Sequence, residues 1–139
     1  MWALWDYTDS HARNLIAEWT LGLTTVHRAR LRALLATVEM DRENERPGGG
    51  IFPPGAVHGP LRGYGKLWKI KIQGGPSGAN ERLILCRGPF DGRAELTLLY
   101  GAREENRKWV PLDALDRAME RYNAVVSDAR RRGPHEPIS

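Results

Sequence analysis

Trp68-Lys69-Ile70-Lys71-Ile72, followed after a turn by Arg82-Leu83-Ile84-Leu85-Cys86-Arg87, is the stretch whose reading decides the fold. The first segment alternates strictly. Trp68, Ile70 and Ile72 point one way and Lys69 and Lys71 the other, as the two-residue period of a pleated strand requires. Lysine is depleted in strands and like charges on one face repel. The lysine face therefore meets either plain solvent or something anionic. Between the two segments, Gln73-Gly74-Gly75-Pro76-Ser77-Gly78-Ala79-Asn80 is turn chemistry throughout, which predicts an antiparallel hairpin.

Working outward, Pro89-Phe90-Asp91-Gly92 predicts another turn, and Glu95 to Tyr100 a last strand that Gly101 ends. Residues 102–109 read as a charged loop closing on Trp109. Pro111 suits the first position of a final helix, along which Leu112, Leu115, Met119, Tyr122, Val126 and Ala129 form an apolar stripe. Arg130 to Arg132 match the negative end of its dipole. Gly133-Pro134 stops the helix, and residues 133–139 are expected to be a disordered tail.

On the other side, Trp2 to Tyr7 suits a first strand. Leu15, Ile16, Trp19 and Leu23 recur at helical spacing, predicting a helix over Asp9 to Leu21 that stops at Gly22. Thr24 or Thr25 caps a second helix striped by Leu31, Leu34, Leu35 and Val38. Arg28, Arg30 and Arg32 lie on its other face, which reads as a solvated surface. Residues 41–65 are an irregular connection rich in Gly and Pro. Gly48-Gly49-Gly50 lacks a preceding strand and a following GK[ST], so it is not a phosphate loop.

Strand, helix, helix, three hairpin-linked strands and a helix imply an α+β domain with the helices covering one sheet face. At 139 residues the chain is one domain, and a net charge of +4 favours an anionic partner. One cysteine, Cys86, precludes an internal disulfide and fits a reducing cytoplasm. No apolar run approaches a membrane span, so no membrane partner is expected. The four histidines lack ligand spacing, so neither a metal nor a cofactor is expected. Glu104 and Glu105 read as a solvated carboxylate pair.

What remains is a set of cations on consecutive sheet elements. Trp68-Lys69-Ile70-Lys71-Ile72, then Glu81-Arg82-Leu83-Ile84-Leu85, then Gly101-Ala102-Arg103-Glu104 resemble the core strands of RelE-type toxins, the mRNA interferases of the RelE/ParE superfamily. The resemblance runs from Trp2 to about Tyr122, and its specific part from Trp68 to Trp109. It implies a RelE-like toxin domain over residues 1–132, with an N-terminal strand, a two-helix hairpin on a mainly antiparallel four-stranded sheet, and a C-terminal helix. It makes Lys69 and Lys71 catalytic and Arg82 and Arg103 phosphate-binding. Trp109 stands where the family has a catalytic tyrosine, and a tryptophan can stack on a base but cannot exchange a proton as a phenol can. Tyr100 is a weaker substitute. Lys66, Arg87, Tyr100, Arg107 and Lys108 are the accompanying candidates for RNA contact.

The chemistry stands on its own terms. RNA is cut by attack of its own 2′-hydroxyl on the adjacent phosphorus, which needs a base, an acid and cations but no protein nucleophile. Crowding by positive charge lowers a lysine's affinity for its proton, so Lys71 or Lys69 is the expected base. Arginine suits phosphate through its permanent charge and planar fork. The implied partners are mRNA, a ribosome and a cognate antitoxin. Two competing readings are a ParE-like toxin that binds a protein target such as gyrase without cutting RNA, and a basic nucleic-acid-binding module. A solvated sheet face explains the spacing alone.

Overall fold

The computed structural model describes residues 2–41, 56–74, 80–90 and 94–139. The Gly48-Gly49-Gly50 segment, most of the turn after Gln73 and the Asp91-Gly92 turn lie outside the described residues. In chain order the elements are β1 (Ala3–Tyr7), α1 (Leu15–Leu21), α2 (Thr25–Met40), β2 (Val57–His58), β3 (Leu67–Ile72), β4 (Asn80–Arg87), β5 (Glu95–Glu105), β6 (Lys108–Val110), α3 (Ala114–Ser127), a 3-10 turn (Ala129–Arg131) and β7 (Arg132–Pro134).

Among the described residues the fold is α+β, built on one mixed sheet of seven strands in the order β2-β3-β4-β5-β1-β7, with β6 also on β5. The sequence pointed to four strands; the three beyond these are β2, β6 and β7, and β6 exists because β5 is longer than expected. Gly101 does not end that strand. Its eleven residues run on to Glu105, so they exceed the length of β1 and pair with two neighbours on the same side. Ala3 to Asp6 run parallel to Glu95 to Leu98, and Val110 to Lys108 pair antiparallel with Arg103 to Glu105. Residues 102–109, expected as a loop, are thus a hairpin. Its two-residue tip is Asn106-Arg107, with φ of 51° and 63°, the paired positive values that a tight type I′ turn requires.

Helices cover both faces of the sheet, not one. A Cβ built on Gly101 would lie 2.0 Å from two ring carbons of Trp19, so α1 sits against the face to which residue 101 points, and only glycine admits that ring. The neighbouring residue, Tyr100, points to the opposite face and lies under Arg121 of α3, 4.6 Å from guanidinium to ring centre. Arg121 also donates to the Leu99 carbonyl at 2.8 Å. The helices' sequence signals hold unevenly. In α2, Leu31, Leu35 and Val38 are buried as the stripe predicts, and the Thr24 hydroxyl caps the His27 amide at 3.1 Å. The first helix begins only at Leu15, because Asp9 accepts from the His11 and Arg13 amides in a turn of its own and Asn14 is the cap. In α3 the buried positions are Ala114, Ala118 and Val125, and Leu115, Met119 and Tyr122 of the expected stripe pack partly buried against the core, while Val126 and, ahead of the helix, Leu112 face solvent. Small alanines let the helix lie close to the sheet. Pro111 precedes the helix, whose cap position is Asp113.

Residues 133–139 are not a loose tail. β7 pairs antiparallel with β1 from Tyr7↔Arg132 to Trp5↔Pro134. Beyond it the buried Asp6 carboxylate accepts from Asn14 at 2.8 Å and from the Glu136 amide at 2.9 Å, and pairs with His135 at 2.7 Å. Ile138 is buried. The buried acid supplies what a tail of this composition lacks on its own: a set of hydrogen-bond partners that would otherwise be left unpaired in the interior. No helix among the described residues is long and apolar enough to cross a membrane.

Candidate active site on the central sheet

Register decides which of the candidate residues meet. In an antiparallel ladder, residues directly opposite point to the same face. Lys71 lies opposite Arg82, and Arg82 opposite Ala102. One row further along, His58, Lys69, Ile84 and Tyr100 are aligned across β2, β3, β4 and β5. Glu104, two residues beyond Ala102, shares that face, and Trp109 lies opposite Glu104. Lys69, Lys71, Arg82 and Trp109, four of the five residues expected to form the reaction site, therefore occupy one face, the face that carries α3.

The fifth does not join them. Arg103 lies opposite Glu81 and Val110, and all three point to the α1 face. There it contacts Glu105 at 3.6 Å and lines a cleft of about 320 Å³ with Glu18, Trp19, Gly22, Leu23 and Glu81. A one-residue step along a strand is a change of face. That step separates Arg103 from the cations.

The residue that takes its place is Glu104, which sequence reasoning set aside. Its Oε1 accepts from both Lys69 Nζ and Arg82 Nε, the latter at 3.1 Å. Lys69 Nζ lies 5.3 Å from the centre of the Trp109 ring, within cation–π range. Arg82 is only 8% exposed along its side chain and also donates to the Glu81 carbonyl at 3.0 Å. Lys71 has no ion-pair partner among the described residues. Burial pushes the Glu104 carboxyl up, but hydrogen bonds from and the charges of Lys69 and Arg82 outweigh it and hold the carboxyl below its ordinary value of 4.5. Glu104 is thus an anion at neutral pH. Three cations against one carboxylate leave the face positive. The missed signal was the bulge: in an unbroken register Arg82 would face Gly101 and share its side of the sheet with Arg103, and the shift between Ile84 and Leu85 puts Ala102 and Glu104 there instead.

The remaining candidates spread out. Tyr100 shares the face but is engaged by α3, with Arg117 3.5 Å from its hydroxyl. Arg107 and Lys108 are exposed at and beside the β5–β6 tip. Lys66 and Arg87 are exposed at the other end of the β3–β4 hairpin from Lys71 and Arg82. Cys86 is buried, which pushes its thiol up to about 12 and makes it inert as a nucleophile.

Glu81 is the electrostatic counterpart on the α1 face. Burial raises its carboxyl above 4.5, and the nearby charges of Arg103 and His27 only partly offset this. A carboxyl whose folded value is raised binds its proton more tightly in the native state, so its ionised form weakens the fold above that value. Glu81→Gln is therefore expected to raise the thermal midpoint at pH 7. The difference from wild type should vanish as the pH falls below 4.5, where the carboxyl is protonated in both states. Thermal melts across pH 3–8 check the sign. A lower midpoint for the variant at pH 7 would contradict it.

Comparisons of the chain with protein-family models, with curated proteins and with solved structures returned no match.

Proposed function

We propose that this protein is the toxin of a type II toxin–antitoxin pair, an endoribonuclease that cuts mRNA on the ribosome through the RNA's own 2′-hydroxyl. A cognate antitoxin would keep it inactive. The observation that carries this reading is the convergence of Lys69, Lys71, Arg82 and Trp109 from three strands onto one sheet face. A solvated face needs no such convergence, and a polyanion backbone does. The resemblance of the Trp68–Trp109 stretch to RelE-type toxins supports the same reading.

In this scheme the scissile phosphate lies alongside Glu104, against the donors of Arg82 and Lys69 that the carboxylate leaves free. Their charges stabilise the additional negative charge of the phosphorane. The 2′-oxygen bonds to phosphorus and the bond to the 5′-oxygen breaks, leaving a 2′,3′-cyclic phosphate and a 5′-hydroxyl. Lys71, as an ammonium free of any carboxylate among the described residues, hands a proton to the departing oxygen. Trp109 stacks on a base, worth about 1–3 kcal/mol. It serves placement rather than proton transfer. No step requires a metal.

Induced expression should arrest growth and produce new 5′ ends in cellular mRNA by primer extension, and Lys69→Ala/Lys71→Ala should abolish both. Arrest without new ends, unchanged by the double substitution, would instead indicate a protein target of the ParE type. Salt-sensitive RNA binding with no arrest would indicate a binding module.

A further inference from the structure

The reaction proposed above also needs a group that takes the 2′-hydroxyl proton, and we propose that Glu104 is that general base. This inference rests on the endoribonuclease reading. The sequence pointed to Lys69 or Lys71 for the task. Lys69, however, is held in an ion pair with Glu104, and a lysine so engaged serves the phosphate better than it serves a proton.

Three features of Glu104 fit the role. First, both of its contacts fall on one oxygen: Lys69 Nζ and Arg82 Nε meet Oε1, and Oε2 has no hydrogen bond among the described residues. A carboxylate gripped through one oxygen is fixed in orientation with the other free to accept. Second, the grip comes from the two cations assigned to the phosphate, so Oε2 is held beside the phosphorus under attack. Proximity of base and nucleophile is what such a step requires. Third, the side chain is 23% exposed, so substrate can reach it. Its depressed carboxyl value keeps it ionised, hence ready to accept, throughout the neutral range.

The proton ledger closes. The 2′-hydroxyl proton passes to Glu104 Oε2 as the 2′-oxygen bonds to phosphorus, and the leaving 5′-oxygen takes its proton from Lys71. The charged and titratable groups facing Glu104 are Lys69 and Lys71 from β3 and Arg82 from β4, with His58 of β2 across Lys69. All are present in wild type and variant alike.

The test is single-turnover cleavage of a short RNA, or of ribosome-bound mRNA, by wild type and Glu104→Gln across the pH range. The variant should lose at least about 100-fold at pH 7. Its rate should also become first order in hydroxide, rising tenfold per pH unit, because solvent base replaces the missing carboxylate. Wild type should stay flat down to pH 4.5 and bend only below it. This last measurement holds even if the variant fails to fold. A variant that is slow but keeps the wild-type profile would show that Glu104 only positions Lys69 and Arg82, and would overturn the proposal. A wild-type bend above pH 4.5 would do the same. If wild type cuts RNA but Glu104→Gln is equally fast, this role alone falls. If wild type leaves RNA intact while a 2′-deoxy control behaves identically, the nuclease reading falls and takes the role with it.

Discussion

Replacing Arg132 with methionine is expected to remove about 3–5 kcal/mol of folding stability, the usual cost of stranding one member of a buried ion pair. Arg132 and Glu95 meet at 3.2 Å with both side chains 8% exposed. The guanidinium also donates to Thr97 Oγ1 at 3.2 Å and lies between the rings of Trp5 and Phe90, 4.0 and 4.7 Å from their centres. Methionine keeps much of the stem's volume, so the loss would come mainly from a Glu95 carboxylate left in a dry site. A domain of this size holds only about 5–15 kcal/mol in reserve. Urea denaturation should show a markedly lower midpoint with an unchanged slope. Adding Glu95→Leu to Arg132→Met should restore part of the loss, since the stranded charge is then gone. A single variant within about 1 kcal/mol of wild type would mean that water reaches Glu95 and that the pair is not truly buried.

Arg132 also shows where the sequence misleads. Read linearly, it is the third of three arginines at the end of a helix, placed there by the helix dipole. In the fold the helix has already ended at Ser127, and Arg132 opens β7, whose pairing with β1 spans the whole chain. No local pattern announces a strand of three residues that exists because an edge across the molecule is unpaired. The same holds for β6. By contrast, β3 was legible because it alternates within itself, β4 because a short unbroken apolar run between Arg82 and Arg87 follows a turn, and α2 because its stripe and cap agree. Gly101 was read as a terminator on propensity, which tertiary contact overrode: the residue is glycine because Trp19 occupies the space of its side chain. The α3 stripe slipped for a related reason. Leu115, Met119 and Tyr122 of that stripe do pack partly against the core, yet Leu112 and Val126 face solvent, and the most deeply buried positions are Ala114, Ala118 and Val125, beside Arg121, whose charged end finds a carbonyl and two aromatic rings.

For the site, the same logic separates what could be seen from what could not. Lys69, Lys71 and Arg82 fall on one face because two short strands joined by a turn leave few registers that keep both apolar sets buried. Arg103 and Glu104 depend instead on the exact course of an eleven-residue strand, with a bulge opposite Ile84 and Leu85 that shifts its parity partway. A resemblance in sequence transfers residue names but not parity. Arg103 aligned well and lies on the far side of the sheet, whereas Glu104 was dismissed as solvated and stands between two cations.

That difference yields the largest expected effect on activity. Arg82→Ala should lower single-turnover RNA cleavage by roughly 10²–10³-fold, the loss that follows removal of one fixed donor from a charge-stabilising site. Arg82 is pre-positioned: its side chain is nearly covered, and the Glu81 carbonyl and Glu104 hold its guanidinium in one orientation before any substrate arrives. Such a group costs no reorganisation when charge develops on the phosphate. Arg82→Lys should recover little, because an ammonium cannot span both acceptors as a planar fork does. Arg103→Ala supplies the contrast. On the α1 face, it should leave cleavage within about threefold of wild type, with only the small stability change usual for an exposed ion pair. The opposite outcome, Arg103→Ala inactive and Arg82→Ala active, would mean that RNA meets the other face of the sheet. The cleft between Arg103, Glu81 and Trp19 would then be the place to look for it.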